Sequence, residues 1–143
     1  MFGNIFDTMR ISGSALSAER KRMNVIANNL ANINTTRGAD GKPYQRKYVV
    51  FETILNNEVN SNTNLNEHGV KVSEVVTDQR PFIKVYKPGH PDADKDGYLS
   101  KPNINMVEEN VDLLSASRAY GANLSFLKAS KSMAKSMIEL LLR

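Results

Sequence analysis

The fold is decided by the stretch Ala27-Asn28-Asn29-Leu30-Ala31-Asn32-Ile33-Asn34-Thr35, which closes a long N-terminal segment of helical pattern. Asparagine forms helices poorly, because its short amide competes for nearby backbone groups. The apolar residues in and before the stretch nevertheless recur every three or four positions, which is the spacing of one helix face. At 100° per residue, one face collects Met23, Ile26, Leu30 and Ile33. The sequence therefore predicts a helix that keeps its asparagines off its apolar face.

Four asparagines are displaced from that face. Asn24 and Asn28 fall on the opposite side of the helix, and Asn29 and Asn32 fall on a flank. A merely solvated face normally carries Lys and Glu, whereas neutral amides suit close, hydrogen-bonded packing. We therefore expect the helix to be covered on more than one side, with Asn28 and Asn32 facing a neighbouring molecule. The alternative is that Asn32 and Asn34 cap the helix C-terminus, where Asn tolerates the left-handed conformation.

Toward the N-terminus, apolar residues repeat every seven positions. This heptad seam consists of Phe2, Met9, Leu16, Met23 and Leu30. A seam of more than four heptads is typical of a coiled coil. A helix over residues 2–33 would be roughly 45–50 Å long at 1.5 Å per residue. Since a small domain cannot bury such a stripe, the helix needs a second long helix as its partner.

The C-terminal residues supply that second helix. Asn105 and Glu108 have the spacing of a capping box, which marks a helix start. The seam that follows consists of Leu113, Tyr120, Leu124, Leu127, Ile138 and Leu141. We predict that the two terminal helices pair as a coiled-coil hairpin, with Leu30 and Ile33 facing the C-terminal helix.

The middle of the chain has a different pattern. β-branched and aromatic residues predict short extended segments over residues 44–55, 69–76 and 81–86, which could form one small antiparallel sheet. The Asn-rich residues 56–66 predict a polar loop. The fold class is therefore α+β, in three parts: an N-terminal coiled-coil helix over 1–35, a loop and small β segment over 36–104, and a C-terminal coiled-coil helix over 105–143.

One loop has the spacing of a calcium site. Asp92, Asp94 and Asp96, followed by Gly97, match the first half of an EF-hand loop. The twelfth position, which should be a bidentate Glu, is Asn103, and prolines upstream forbid the entering helix. An acidic turn with Gly97 at positive φ is the simpler interpretation. A calcium-binding module is the alternative function, and His90 with Asp92 and Asp94 is a second possible set of metal ligands.

Composition limits the other function classes. The chain of 143 residues has a net charge of +4 and contains no Cys or Trp. Without Cys there can be no disulfide, Cys-ligated zinc or thiol nucleophile. The one tight basic cluster, Arg20-Lys21-Arg22, is expected to be a solvated helix face, not a nucleic-acid site. No nucleophile–base pair, phosphate-cradling loop or His cluster stands out, so we expect neither an enzyme nor a cofactor. No apolar run could span a membrane, and no Sec signal peptide is visible.

The stretch at residues 27–35 resembles a signature of bacterial flagellar rod and hook proteins, Ala-Asn-Asn-(Leu/Ile)-Ala-Asn-x-Asn-Thr. Its assembly-motif residues are Asn28, Asn29, Leu30, Ala31, Asn32, Asn34 and Thr35. Further resemblance to the family, and within it to the proximal rod, lies in residues 41–47, 50–52, 85–94, 97–98 and 102–105. Residues 112–123 resemble the ending that rod and hook proteins share. The chain is thus identified as a member of the flagellar basal-body rod family.

The resemblance implies a structural protein of the motility apparatus. Such a subunit would polymerise through its terminal helices into a helical rod that transmits torque and forms the wall of the export channel. The implied partners are copies of the same protein, other rod proteins and the flagellar type III export apparatus. The implied location is the basal-body rod in the periplasmic space, reached without a Sec signal peptide.

Overall fold

The computed structural model describes residues 2–38, 40–55 and 68–141, so the loop predicted over 56–66 lies outside the described residues. It confirms the α+β class, with a long helix at each end and antiparallel strands between them. The elements in chain order are α1 Phe2–Ala31, β1 Lys47–Leu55, β2 His68–Thr77, β3 Ile83–Tyr86, β4 Tyr98–Lys101 and α2 Met106–Leu141.

Helices α1 and α2 pack against each other. Arg22 of α1 lies 3.4 Å from Asp112 of α2, and seven residues further along α1, Asn29 bonds to Glu109. This antiparallel alignment brings Ala18 to the level of Ala116, because both lie four residues from the Arg22–Asp112 pair. Both alanines are buried. Small side chains therefore lie where the two helices approach each other.

The predicted seam residues lie at different depths in the single chain. A half-buried group consists of Met9, Leu16, Met23, Leu30, Leu113, Tyr120, Leu124 and Leu127. Ile138, in contrast, is 53% exposed. The side chains of Phe2 and Leu141 lie outside the described ones. The helices therefore pair, whereas the finer coiled-coil geometry stays a prediction.

Helix α2 begins with a side-chain cap, as its sequence predicts. The Asn105 Oδ1 accepts a hydrogen bond from the backbone N–H of Val107 at 3.0 Å. The Asn105 amide in turn donates to Glu108 Oε1 at 3.4 Å. The cap satisfies a donor that the first helical turn leaves without an intrahelical partner.

The strands form two separate two-stranded sheets, β1–β2 and β3–β4, so the prediction of one sheet from residues 44–55, 69–76 and 81–86 was wrong. Segment 81–86 pairs with β4, a strand that the sequence did not indicate because it is four residues long and follows a turn-rich tract. Gly97, just before β4, has φ +80°, the positive value expected of it. A Cβ there would lie 3.0 Å from the Tyr86 ring.

The β1–β2 hairpin lies against α1. The Ser14 hydroxyl of α1 donates to the Ile11 carbonyl at 2.7 Å and accepts from the backbone N–H of Val70 at 3.0 Å. Gly69 allows this close approach, since a Cβ on it would lie 3.0 Å from the Ser14 hydroxyl. The hairpin is thus fixed to the helix by main-chain contact as well as by its apolar side chains.

Replacing Ala116 by Leu tests the close helix packing. Ala116 is completely buried, so three extra carbons have to displace packed neighbours. We expect Ala116→Leu to lower the free energy of unfolding by about 1–3 kcal/mol. Urea unfolding followed by circular dichroism measures the change. Ala122→Leu, at an exposed site on the same helix, is the matched control. Equal stability of the two variants would contradict the packing described.

Candidate functional site

Asn29 is the centre of a polar junction between the two helices and the strands. Its side chain is 1% exposed. The amide nitrogen donates to the Lys47 carbonyl at 2.7 Å and to Glu109 Oε2 at 2.9 Å. The amide oxygen accepts from the Tyr44 hydroxyl at 3.1 Å and from the Lys47 N–H at 3.0 Å. Two donors and two acceptors are the full capacity of an Asn side chain, so every polar group of Asn29 is satisfied.

These bonds decide where the middle segment starts. Lys47 is the first residue of β1, and both of its backbone polar groups are held by Asn29. Asn29 therefore replaces a neighbouring strand at this point, because it satisfies the N–H and C=O that a strand would bond. Burial, together with the charge of Glu109, raises the pKa of the Tyr44 hydroxyl. The hydroxyl thus keeps the proton that it donates to Asn29.

Glu109 is a buried carboxylate whose two oxygens have separate partners. Its exposure is 0%. Oε2 accepts from Asn29, and Oε1 accepts from Arg46 Nε at 2.5 Å. A carboxylate buried without partners would be costly, so the paired and hydrogen-bonded arrangement is what allows this burial. Glu109 links α2 to α1 through Asn29 and to the chain that enters β1 through Arg46.

Arg46 extends the junction to two more carboxylates. Its guanidinium lies 3.3 Å from Asp112 and 3.7 Å from Asp78. Burial alone would lower the pKa of Arg46, but the hydrogen bond and charge of Glu109, with the charges of Asp112 and Asp78, raise it above its ordinary value. One cation thus joins α2 to the segment that follows β2.

Asn103 closes the junction from the strand side. Its Oδ1 accepts from the Arg46 N–H at 2.8 Å, and its amide donates to the Arg80 carbonyl at 3.0 Å and, more weakly, to the Asp78 carbonyl at 3.3 Å. Asn103 occupies the position where an EF-hand loop would need its bidentate Glu. The side chain instead joins the segment before α2 to the two segments that flank the β1–β2 hairpin.

Two aspartates of the acidic loop accept hydrogen bonds from the loop's own backbone and from Thr36. Asp94 Oδ1 accepts from the N–H groups of Asp96 and Tyr98, at 3.0 and 2.8 Å. Asp92 Oδ2 accepts from the Thr36 hydroxyl at 2.9 Å, and His90 Nδ1 accepts from the Asp92 N–H at 3.1 Å. Within the described ranges, no three His, Asp or Glu side chains are grouped so that they could hold a metal ion. The calcium alternative and the His90 site therefore find no support in this loop.

The remaining motif residues differ in their burial. Asn32 lies at the end of α1, where its amide donates to the Asn28 carbonyl at 2.8 Å and its Oδ1 accepts from the Thr35 hydroxyl at 3.1 Å. Among the described residues only glycines have positive φ, so the alternative in which Asn32 and Asn34 cap the helix in the left-handed conformation was wrong. Leu30 and Ile33 are half-buried. The exposed group consists of Asn24, Asn28, Ala31 and Asn34. One motif residue, Asn29, thus organises the interior, while Asn28 is open to a neighbour.

The helices also carry large apolar side chains in contact with solvent. On α2 the exposed set consists of Met106, Val107, Val111, Leu114, Phe126, Met133, Ile138 and Leu140. On α1, Phe6 and Ile11 are exposed. At 100° per residue, all of the α2 residues in this set except Met106 and Ile138 lie within about 120° of one another, so they share one side of the helix. An exposed apolar face of this kind is typical of an interaction surface. We call this set the helical surface.

The sequence interpretation missed Tyr44, Arg46, Asn103 and Glu109 as members of the site. One signal was available: at 100° per residue Glu109 shares a helix face with Leu113 and Ala116. A carboxylate on a buried face requires a buried partner. Arg46 could not be identified as that partner from local pattern, because 63 residues separate the two.

Comparison with known proteins gives relatives over most of the chain. The family model described as "Flagella basal body rod protein" matches residues 9–39, and that described as "Flagellar basal body rod FlgEFG protein C-terminal" matches residues 95–140. The chain is similar to the flagellar basal-body rod protein FlgC of Escherichia coli O6:H1, with 47% identity over 91% of this chain and 90% of that protein. It is also similar to the FlgC proteins of Bacillus subtilis, with 40% identity over 94% and 97%, and of Borreliella burgdorferi, with 38% identity over 96% and 97%. In the described part of the chain, neither helix combines the length and apolar character needed to cross a membrane.

Replacing Asn29 by Ala tests the junction. The variant leaves the Tyr44 hydroxyl, the Lys47 backbone and one Glu109 oxygen without their partner. We expect the free energy of unfolding to fall by about 2–3 kcal/mol, since each buried unsatisfied group is costly. Chemical unfolding of the purified chain measures this. Asn28→Ala, at the exposed neighbouring amide, should change stability by less than about 0.5 kcal/mol. A destabilising Asn28→Ala paired with a neutral Asn29→Ala would reverse the assignment.

The pH dependence of stability tests Asp78. The Arg80 N–H, with the side chain of Arg80 and the charge of Arg46, holds the pKa of Asp78 below its ordinary value of 3.8, although burial opposes this. A depressed pKa gives stability that is present above pH 3.8 and lost as pH falls through the lower, folded-state pKa. We expect Asp78→Asn to be less stable than wild type at pH 6 and to lose less stability on acidification below pH 4. Unfolding curves across that range, with Asp96→Asn at an exposed site as the control, measure the difference. Parallel acid profiles would contradict it.

Proposed function

Because the chain belongs to the family of flagellar basal-body rod proteins, we propose that its helical surface is the contact through which it assembles into the rod. The relatives are named as flagellar basal-body rod proteins, and their alignments with this chain cover 90% or more of their length. The function of this chain is that of a rod subunit. The observation that carries the assembly proposal is the run of exposed apolar side chains along α2.

In a lone molecule the helical surface exposes apolar side chains to water, which is unfavourable, whereas contacts in an assembly would bury them. Val107, at 69% exposure, and Leu140, at 72%, lie near opposite ends of α2. Each fully buried side chain of this kind is worth about 1.5–3 kcal/mol when it leaves water. Packing of such stripes against other helices would use the coiled-coil geometry that the heptad spacing predicts. Since α1 covers the other side of α2, the partner helices have to come from neighbouring subunits.

A subunit with this surface grows into a filament and does not close into a dimer if its contacts are heterologous. We propose that the helices form the inner layer of the rod and the wall of its channel, with the strands on the outside. The polar junction would fix the strands to the helices at Asn29, so that torque acting on either part is passed to the other. Asn28 and Asn34, exposed at the end of α1, would face the next subunit. Asn32 would contribute through its hydrogen bonds to the Asn28 carbonyl and from the Thr35 hydroxyl, which hold this end in place.

The proposed partners are further copies of the chain, other rod components and, before assembly, the type III export apparatus. The proposed location is the part of the rod that lies in the periplasmic space. Helices that gain much of their burial only on assembly suit passage through a narrow channel in an unfolded form. We propose no catalytic role, because the satisfied polar groups of the junction act as ties between segments.

Charged substitutions on the helical surface test the assembly proposal. Phe126 and Met133 are exposed on α2, so replacing either by Asp leaves the monomer fold intact while placing a charge in the proposed contact. We expect Phe126→Asp and Met133→Asp to abolish rods and swimming in a host that lacks its own copy, with unchanged circular dichroism of the purified chain. Electron microscopy of basal bodies and motility in soft agar give the readouts.

The matched control is Ser73→Asp, which introduces the same charge at an exposed site on β2. It should leave rods and swimming as in wild type. Normal rods from both α2 variants would overturn the assignment of the helical surface. Swimming by cells that lack the chain altogether would overturn its role as a rod subunit.

A further inference from the structure

The far end of the helix pair contains an apolar groove with a basic rim. Phe6 and Met9 of α1 and Ile138 of α2 line it, and Lys128, Lys131 and Lys135 stand along its α2 side. The groove has a volume of about 730 Å³. Phe6 is 61% exposed, so this end of the hairpin leaves large side chains uncovered.

The charge on the rim is only partly balanced. Lys135 lies 3.7 Å from Glu139 and forms an exposed ion pair with it across one turn of the helix. Lys128 and Lys131 form no ion pair with any residue in the described ranges 2–38, 40–55 and 68–141. A concave apolar floor beside unpaired lysines fits an amphipathic helix whose apolar stripe is flanked by carboxylates.

The opposite end of α2 has that complementary character. Over residues 105–117 the charged side chains are all acidic: Glu108, Glu109 and Asp112. Glu109 is buried in the junction, and Asp112 is shared by Arg22 and Arg46. Glu108 has longer contacts, 3.9 Å to Arg80 and 3.4 Å to Asn105, and its side chain is 52% exposed, so it is the most available of the three. Val107, Val111 and Leu114 are all exposed and lie within about 60° of each other on the helix.

We propose that the Val107–Val111–Leu114 stripe of one copy docks in the Phe6–Met9–Ile138 groove of the next copy, with Glu108 facing Lys128 and Lys131. The proposal rests on the function proposed above and deepens it, since it names the two surfaces that meet. The centres of the two regions are separated by about 22 residues of one continuous helix, roughly 33 Å at 1.5 Å per residue. A straight helix cannot bring them together within one molecule, so the contact lies between molecules.

The contact has a direction. Because the two surfaces differ, each copy offers one to the copy before it and the other to the copy after it, which is a head-to-tail arrangement. Copies in parallel orientation would be staggered by roughly 33 Å along the helices. An antiparallel two-fold pair, in which the stripe of each copy fills the groove of the other, would close a dimer, so cross-linking that stops at the dimer would contradict the head-to-tail arrangement.

Cysteine cross-linking tests the contact directly, because the chain has no cysteine of its own. We expect basal bodies built from Leu114→Cys/Ile138→Cys to give, after oxidation, a ladder of dimers, trimers and larger species on a non-reducing gel. The single variants should give no ladder, and neither should Ser73→Cys/Ile138→Cys. Dimers from a single variant at the yield of the double variant, disulfides to a different protein, or intact rods without links would each overturn the proposal.

Charge exchange gives an independent test if the cysteines block assembly. Glu108→Lys and Lys131→Glu should each lower the number of flagella per cell by about tenfold or more, and the double variant should recover at least half of the wild-type number. Full assembly by both single variants, or no recovery in the double variant, would overturn the docking proposal. Either result leaves the rod function standing, because only swimming by cells without the chain contradicts that function.

Discussion

The structure depends on one buried contact, the hydrogen bond of Asn29 to Glu109, which Arg46 completes from the other side. Neither polar side chain could be buried alone, because an unsatisfied amide or carboxylate in the interior costs more than a typical hydrogen bond returns. The contact therefore forms as a unit or not at all. Once formed, it fixes α1 to α2, places the first residue of β1 and draws in the segment after β2. With few large apolar side chains fully buried among the described residues, this polar unit carries much of the specificity of the fold.

A division of roles between the two sides of the helix pair follows from this arrangement. The inner side combines the small residues Ala18 and Ala116 and the half-buried apolar seam with the polar junction, whose central groups are satisfied within the chain. The outer side carries the exposed apolar side chains, which the proposed contacts would bury. Under that proposal the subunit holds its own shape through the junction, and its largest further burial of apolar surface comes from neighbours. A structural component that joins many copies needs this property, because contacts that were already satisfied inside one chain could not drive assembly.

Sequence reasoning succeeded where a feature repeats locally. The helices, the cap at Asn105 and the turn at Gly97 follow from spacing, since each depends on residues a few positions apart. It failed for the strand partner of segment 81–86, because β4 is too short to show alternation, and for the separation into two sheets. It also placed Asn29 on a flank without finding its partners. The alternative role in ion binding that it gave to Asp92, Asp94 and Asp96 is not supported by the hydrogen bonds of this loop, which run from backbone N–H groups to Asp94 and from the Thr36 hydroxyl to Asp92.

The sequence by itself determined the α+β class, the two long helices, their apolar stripes and the family to which the chain belongs. These depend on residue type and period, which the chain carries along its length. Only the tertiary structure decided that Asn29, Arg46, Asn103 and Glu109 form one site, and which apolar residues stay exposed. The partners Asn29 and Glu109 lie 80 residues apart, and no local rule selects one carboxylate among fifteen acidic residues. That selection is made by the helix packing, which brings the one acid on the buried face of α2 to the amide of α1.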